Sequence, residues 1–178
     1  MANYEELLEQ QNYDELLRVL EEEEKTLVFD KFTNEMALQL GLLIINKCKK
    51  DSKFVTADIT RNGQQLFHHA MTGTCVDHDQ WVAKKNNFVY RCGISSFHCG
   101  TLMKRRGTTV EREYLASSLE YSGNGGAFPI IVKDVGCVGT VTISGLPHVL
   151  DHKMAVDCVR EYLDGVKKAK PVVMPTAG

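Results

Sequence analysis

The chain lacks most of the features that assign a protein at sight. No apolar run approaches the ~18 residues of a membrane-spanning helix, so no span is expected. The opening Met1-Ala2-Asn3-Tyr4-Glu5-Glu6 is acidic, with neither the basic nor the apolar stretch of a secretory leader. There is no CxxC, which removes support for a thioredoxin-type site or a zinc ribbon. GxxxxGK[ST] and GxGxxG are both missing, which argues against a phosphate loop and a dinucleotide fold. Excess charge is lacking too. Against 21 Lys+Arg stand 23 Asp+Glu, a net charge of −2, so charge alone does not recruit nucleic acid.

What remains is an ordinary globular composition. The 178 residues suit one domain, with 43% hydrophobic and 25% charged residues. Six cysteines stand at 48, 75, 92, 99, 137 and 158. Without a leader they read as reduced thiols in a cytoplasmic protein. Cys92, His98 and Cys99 crowd what reads as one helix and do not encircle an ion, so no metal site is expected.

Residues 1–25 read as an N-terminal helical arm. Asn3-Tyr4-Glu5-Glu6-Leu7-Leu8 is echoed by Asn12-Tyr13-Asp14-Glu15-Leu16-Leu17, each with a capping-box-like start. The two helices either pack on the domain or serve residues 1–24 as a docking arm for a protein partner. Glu21–Glu24 reads as a solvated charge run that frays its helix. Residues 167–178 read as a flexible tail.

Thr33 caps a helix to about Lys50 with two apolar stripes, the second made by Leu38, Leu42 and Ile45. Such a helix must be covered on two sides, by other elements or by another subunit. Asn62-Gly63 between β-type runs signals a two-residue hairpin. A regular register would pair Ile59 with Leu66 and Ala57 with His68, and would group Thr56, Asp58 and His69 on one face. That group is either a ligand-facing cluster or a core hydrogen-bond network.

Asp77 or Asp79 caps the next long helix, which carries Trp81 and the small residues Cys92, Gly93, Ser96, Cys99 and Gly100. Those small residues imply close packing or a flat ligand. Arg91 and Ser95, one turn apart on such a helix, could together hold an anion. Lys104-Arg105-Arg106 is a basic tip without interleaved aromatics, not a nucleic-acid site. Ala127–Lys133 and Cys137–Ser144 form a second β pair. Asp151 caps the last helix, and His152 follows it. The order strand, helix, hairpin, long helix, hairpin, helix predicts an α/β (α+β) fold. Its plan is three-layer α/β/α, with a five-stranded, mainly antiparallel sheet and helices on both faces.

Several motifs together carry a family likeness. They are Asp58-Ile59, Asn62-Gly63, Asp79-x-Trp81-x3-Lys85, Arg91-x-Gly93-x-Ser95-Ser96, Gly125-Gly126-Ala127-Phe128-Pro129-Ile130, Ser144-Gly145-Leu146-Pro147 and Asp151-His152. The set resembles the haem-degrading-domain-like (GlcG/HbpS-like) proteins, and within them a cytosolic branch found in bacteria and fungi. The resemblance spans a domain over residues 26–166. It implies a profilin-like sheet and a symmetric homo-oligomer, but no particular reaction. It also makes haem, or another anionic cofactor, the candidate ligand of a small-ligand-binding protein. Arg91, Ser95, Asp151 and His152 match the branch's recurrent positions, and with His69 they form the expected ligand-binding set. Arg91 would pair an anionic group and Ser95 would hydrogen-bond it. A scaffold, or an enzyme with a polar site around Arg91 and His152, are the alternatives.

Overall fold

The computed structural model describes residues 3–169. Two short helices open it, α1 (Tyr4–Glu9) and α2 (Tyr13–Thr26). The Asn3 and Asn12 side chains accept the Glu6 and Glu15 N–H groups, each at 3.3 Å, the caps expected from the echoed motif. Their leucines do not stay outside. Tyr4, Leu16 and Leu20 are buried against Phe97 and Val149.

Five strands and five further helices follow: β1 (Val28–Phe29), α3 (Asn34–Lys50), β2 (Thr56–Arg61), β3 (Gln64–Ala70), α4 (Val76–Cys92), α5 (Ser96–Arg106), α6 (Val110–Glu113), β4 (Ala127–Val132), β5 (Gly136–Ser144) and α7 (His148–Ala169). The strands form one sheet in the order β1-β4-β5-β2-β3. Only β1 and β4 pair in parallel; the other three ladders are antiparallel. Helices α3 and α7 cover one face, and α4 and α5 the other. The three-layer α/β/α plan is therefore present. Of the expected tail, residues 167–169 continue α7, and 170–178 lie outside the described residues.

The two sheet faces differ in chemistry because side chains alternate along a strand. Ala57, Ile59, Phe128, Ile130, Val141 and Ile143 join α3 and α7 in the main apolar core. The opposite face presents Thr56, Asp58, Thr60, Thr140, Thr142 and Ser144, all buried. Threonine fits a strand sterically, but its hydroxyl needs a partner once buried. Asn86 of α4 supplies one: its side-chain oxygen accepts from Thr142 Oγ1, and its Nδ2 lies 3.4 Å from Asp58 Oδ1.

Five sequence expectations need correction. Asp151 does not cap the last helix: α7 already starts at His148, and Asp151 lies inside its first turn with Oδ1 accepting from Leu146 N. The Asn62-Gly63 hairpin forms with both residues at positive φ, but Leu66 bulges out of β3. Past the bulge the register moves by one residue, so Asp58 pairs with His68 and Ala57 with His69. Asp58 Oδ2 is 3.4 Å from His68 Nδ1 and accepts from Gln65 Nε2 at 2.6 Å. The long helix also does not run through the small residues. Gly93 takes φ +71 and ends α4, and Ser95 starts α5. Neither Asp77 nor Asp79 caps α4. Cys75 does, with its N–H on His78 Nδ1 at 3.1 Å. Finally, α2 does not fray at its acidic end. It runs to Thr26 and buries Glu23 and Glu24.

Candidate functional site

Helix α4 and the start of α7 meet at the ends of β4 and β5 and leave a cavity of about 330 Å³. Asp77, His78, Trp81 and Lys85 line it from α4, a helical i, i+1, i+4, i+8 face. Ser144, Gly145 and Leu146 line it from the end of β5, and His148 and Asp151 from the first turn of α7.

The floor is an ion pair. Lys85 Nζ lies 2.9 Å from Asp151 Oδ2, and both side chains are only 3% exposed. Lys85 also donates to Ile143 O at 3.1 Å, while Asp151 Oδ1 accepts from Leu146 N at 2.9 Å. Burial pushes the Lys85 ammonium below its usual range, and the Asp151 charge opposes that. Burial pushes the Asp151 carboxyl up, against the pull of Lys85. Desolvation thus outweighs attraction on each partner. Gly126 makes room for the pair, since a Cβ there would sit 2.7 Å from Lys85 Nζ and 2.3 Å from Ile143 O.

Two imidazoles stand at the cavity. His148 Nδ1 accepts from Gly125 N at 3.3 Å, which leaves its proton on Nε2. Burial, with Lys104 and Lys85 adding to it, lowers its pKa to about 4, so the ring is neutral at pH 7. His78 Nδ1 lies 3.1 Å from both the N and the O of Cys75, leaving Nε2 as its free nitrogen. Trp81 Nε1 donates to Asp77 Oδ2 at 2.9 Å.

The residues singled out from sequence scatter around this cavity. Asp151 lines it. His152, one residue on, turns the other way: it is fully buried among Tyr4, Phe97 and Phe128, with Nε2 3.4 Å from Glu23 Oε2. Its Nδ1 has no hydrogen-bond partner. Arg91 is exposed at the far end of α4, where it donates to Tyr114 O at 2.6 Å and stacks on Tyr114 and Tyr121. Ser95 is buried as the cap of α5, its Oγ accepting from His98 N at 3.2 Å. The Gly93 reversal separates these two residues, so they do not share a helix face. His69 is exposed on the edge strand β3, opposite Ala57.

Sequence reasoning quoted Trp81 and Lys85 only as parts of a motif. The 77/78-81-85 spacing on one helix face was the signal that links them. Among the described residues, no group of three or more His, Cys, Asp or Glu could hold a metal ion. No described helix is long and apolar enough to cross a membrane. The basic tip is already occupied: Arg105 Nε lies 2.8 Å from Asp14, and Arg106 pairs with Glu113.

Comparison with known proteins places this architecture. A UPF0303 protein of Streptomyces coelicolor is 42% identical over 144 residues, 81% of this chain and 91% of the relative. One from Yersinia pseudotuberculosis is 34% identical over 152 residues, 85% of this chain and 89% of the relative. The crystal structure of the Ybr137w protein superposes with a TM-score of 0.81 at 30% identity, covering 92% of this chain and 99% of that one. The crystal structure of a PduOC:heme complex shares the fold, with a TM-score of 0.60 at 15% identity over 72% of this chain and 93% of that one. A family model described as haem degrading protein HbpS-like matches residues 32–160. With that match over most of the chain, and relatives above 30% identity along most of their length, the chain belongs to the HbpS-like family.

Proposed function

We propose that the chain is a small-ligand-binding protein whose site is the cavity between α4 and the start of α7, and that its ligand is anionic. The observation that carries this is the convergence of His78, Trp81 and His148 over the buried Lys85–Asp151 pair. An aromatic wall and a few fixed polar groups are what a small-molecule site needs. The His148 Nε2–H and the Lys85 ammonium are donors suited to carboxylate oxygens.

Haem is the candidate that the family description and the PduOC:heme relative suggest. The residues fit it in part. A ligating imidazole donates its other ring N–H to a backbone acceptor, and His78 can do so to Cys75 O only by giving up the bond its Nδ1 accepts from Cys75 N. His148 cannot, because its Nδ1 accepts from Gly125. A cavity of about 330 Å³ lies at the small end for ligand sites, so a porphyrin would stay partly outside it. Bound haem would supply redox-active iron, and Lys85 and His148 would hold its propionates. Titrating the full chain with haemin tests this. A Soret shift lost in His78→Ala supports haem. A Trp81 fluorescence response to small carboxylates without a Soret shift supports a smaller anion, and neither signal removes the site.

The functional unit on this reading is a symmetric homo-oligomer. Leu38 and Leu42 stand 44% and 48% exposed on α3. They lie on the helix that also covers β3, the open edge of the sheet. A protein partner at residues 1–24 would have to read the outer, acidic surface of α1 and α2, since their leucines are spent internally. The six unpaired thiols suit a reducing cytoplasm.

A further inference from the structure

We propose that Lys85 is a covalent capture residue, whose amine condenses reversibly with the carbonyl of a small α-keto acid in the cavity. The inference rests on the reading of that cavity as the ligand site and gives it a chemistry.

Three features carry it. Lys85 is the one amine lining the cavity, although its side chain is 3% exposed. Its nitrogen has two protein acceptors, Asp151 Oδ2 and Ile143 O, which leaves a third N–H for the cavity. Its ionic partner is a carboxylate that can take its proton in place. Burial moves Lys85 down and Asp151 up, which brings the amine–carboxylic acid form closer in energy than it is in water. A keto acid also brings a carboxylate, and His148 presents Nε2–H to the same space.

The step balances without an outside reactant. Asp151 takes a proton from the Lys85 ammonium, and the freed nitrogen pair attacks the carbonyl carbon. The carbonyl π pair moves onto oxygen, which Asp151 protonates. Asp151 then removes a proton from nitrogen and returns it to the hydroxyl, which leaves as water as the nitrogen pair closes the C=N bond. One ammonium and one carbonyl have become one protonated imine and one water, and Asp151 is again a carboxylate.

The test uses the full chain, pyruvate and cyanoborohydride at pH 7, read by peptide mapping. Hydride delivery to the imine carbon leaves Nε-(1-carboxyethyl)-lysine. Lys85 should carry this mark severalfold more than the exposed Lys49 and Lys50, since the cavity holds pyruvate against its amine and burial favours the free-amine form. Trp81, the only tryptophan, should report pyruvate by fluorescence. Lys85→Arg keeps a cation for Asp151 and should lose the mark. A Trp81 response with Lys85 marked no more than surface lysines overturns the imine and leaves the cavity as a site. A silent Trp81 with only surface marks overturns both.

Discussion

The Glu24 carboxylate accepts the backbone N–H of Ser95 at 2.8 Å. The same carboxylate lies 2.9 Å from His98 Nδ1. A buried anion at the first turn of α5 meets both the free N–H groups and the positive end of the helix dipole. One residue earlier, Glu23 accepts from Tyr4 Oη at 2.5 Å and faces His152. The end of α2 is thus bonded into both α5 and α7.

Removing the Glu24 carboxylate should therefore cost more than a surface glutamate does. Glu24→Ala strands the Ser95 N–H and the His98 ring, a loss of about 2–3 kcal/mol. Glu22→Ala, on the exposed side, should stay within about 0.5 kcal/mol. Urea midpoints compare them. Equal losses would mean that the contact does not hold α2 in place.

The Lys85–Asp151 pair makes a second, non-additive prediction. Lys85→Met leaves a buried carboxylate alone and should cost about 3–5 kcal/mol. Joining it to Asp151→Leu should recover much of that loss, short of the bond from Leu146 N. A double mutant that lost the sum of the singles would show that the pair is not energetically coupled.

Which of these features could be seen in the sequence follows from the range of the interaction that sets them. The two asparagine caps, the Asn62-Gly63 turn and the apolar stripes of α3 depend on residues within a few positions, and they were legible. The Leu66 bulge is a tertiary choice. It turns the Phe67 ring onto Gly41, where a Cβ would meet it at 2.4 Å, and it exchanges His69 for His68 beside Asp58. No local pattern announces it. The Glu23 and Glu24 carboxylates looked solvated because their partners Ser95, His98 and His152 lie more than seventy positions away. The site was half legible. The 78-81-85 face was written in α4, but its closure by His148 and Asp151 required knowing that α7 starts at His148.

Two helical glycines should respond in opposite directions to alanine. At Gly165 of α7 an added Cβ meets nothing within 4 Å, so Gly165→Ala should gain about 0.5–1 kcal/mol through helix propensity. At Gly100 of α5 the Cβ would meet Gly123 O at 2.0 Å, backbone that cannot step aside. Gly100→Ala should lose about 1–3 kcal/mol despite the same propensity gain. Thermal midpoints of the two variants, measured together, decide whether the contact between α5 and the 123–126 loop is that close.

Self-association through α3 predicts a change of size without a change of fold. Leu38→Asp with Leu42→Asp puts two charges on the exposed stripe and should leave circular dichroism unchanged, because neither side chain is in the core. Light scattering should then report a smaller particle than the parent chain. An unchanged mass would move the subunit contact to another surface.

The neutral His148 ring makes stability depend on pH in a definite direction. Its pKa falls from an ordinary 6.5 to about 4, first by burial and then by the charges of Lys104 and Lys85. A depressed folded value means that the unfolded chain binds the proton more readily. The contribution is therefore whole above pH 6.5, declines as the pH falls, and is exhausted near pH 4. His148→Asn keeps an acceptor for the Gly125 N–H but has nothing to titrate. The stability gap between the parent and this variant should narrow between pH 7 and pH 5. Because the ring is partly open to solvent, the narrowing should be roughly 1 kcal/mol, about half the value for full linkage. Urea unfolding of both chains at the two pH values isolates this residue, since every other titrating group is common to them. A gap that stays constant would mean that the folded ring titrates like the unfolded one, near 6.5, and that burial does not hold His148 neutral below that pH.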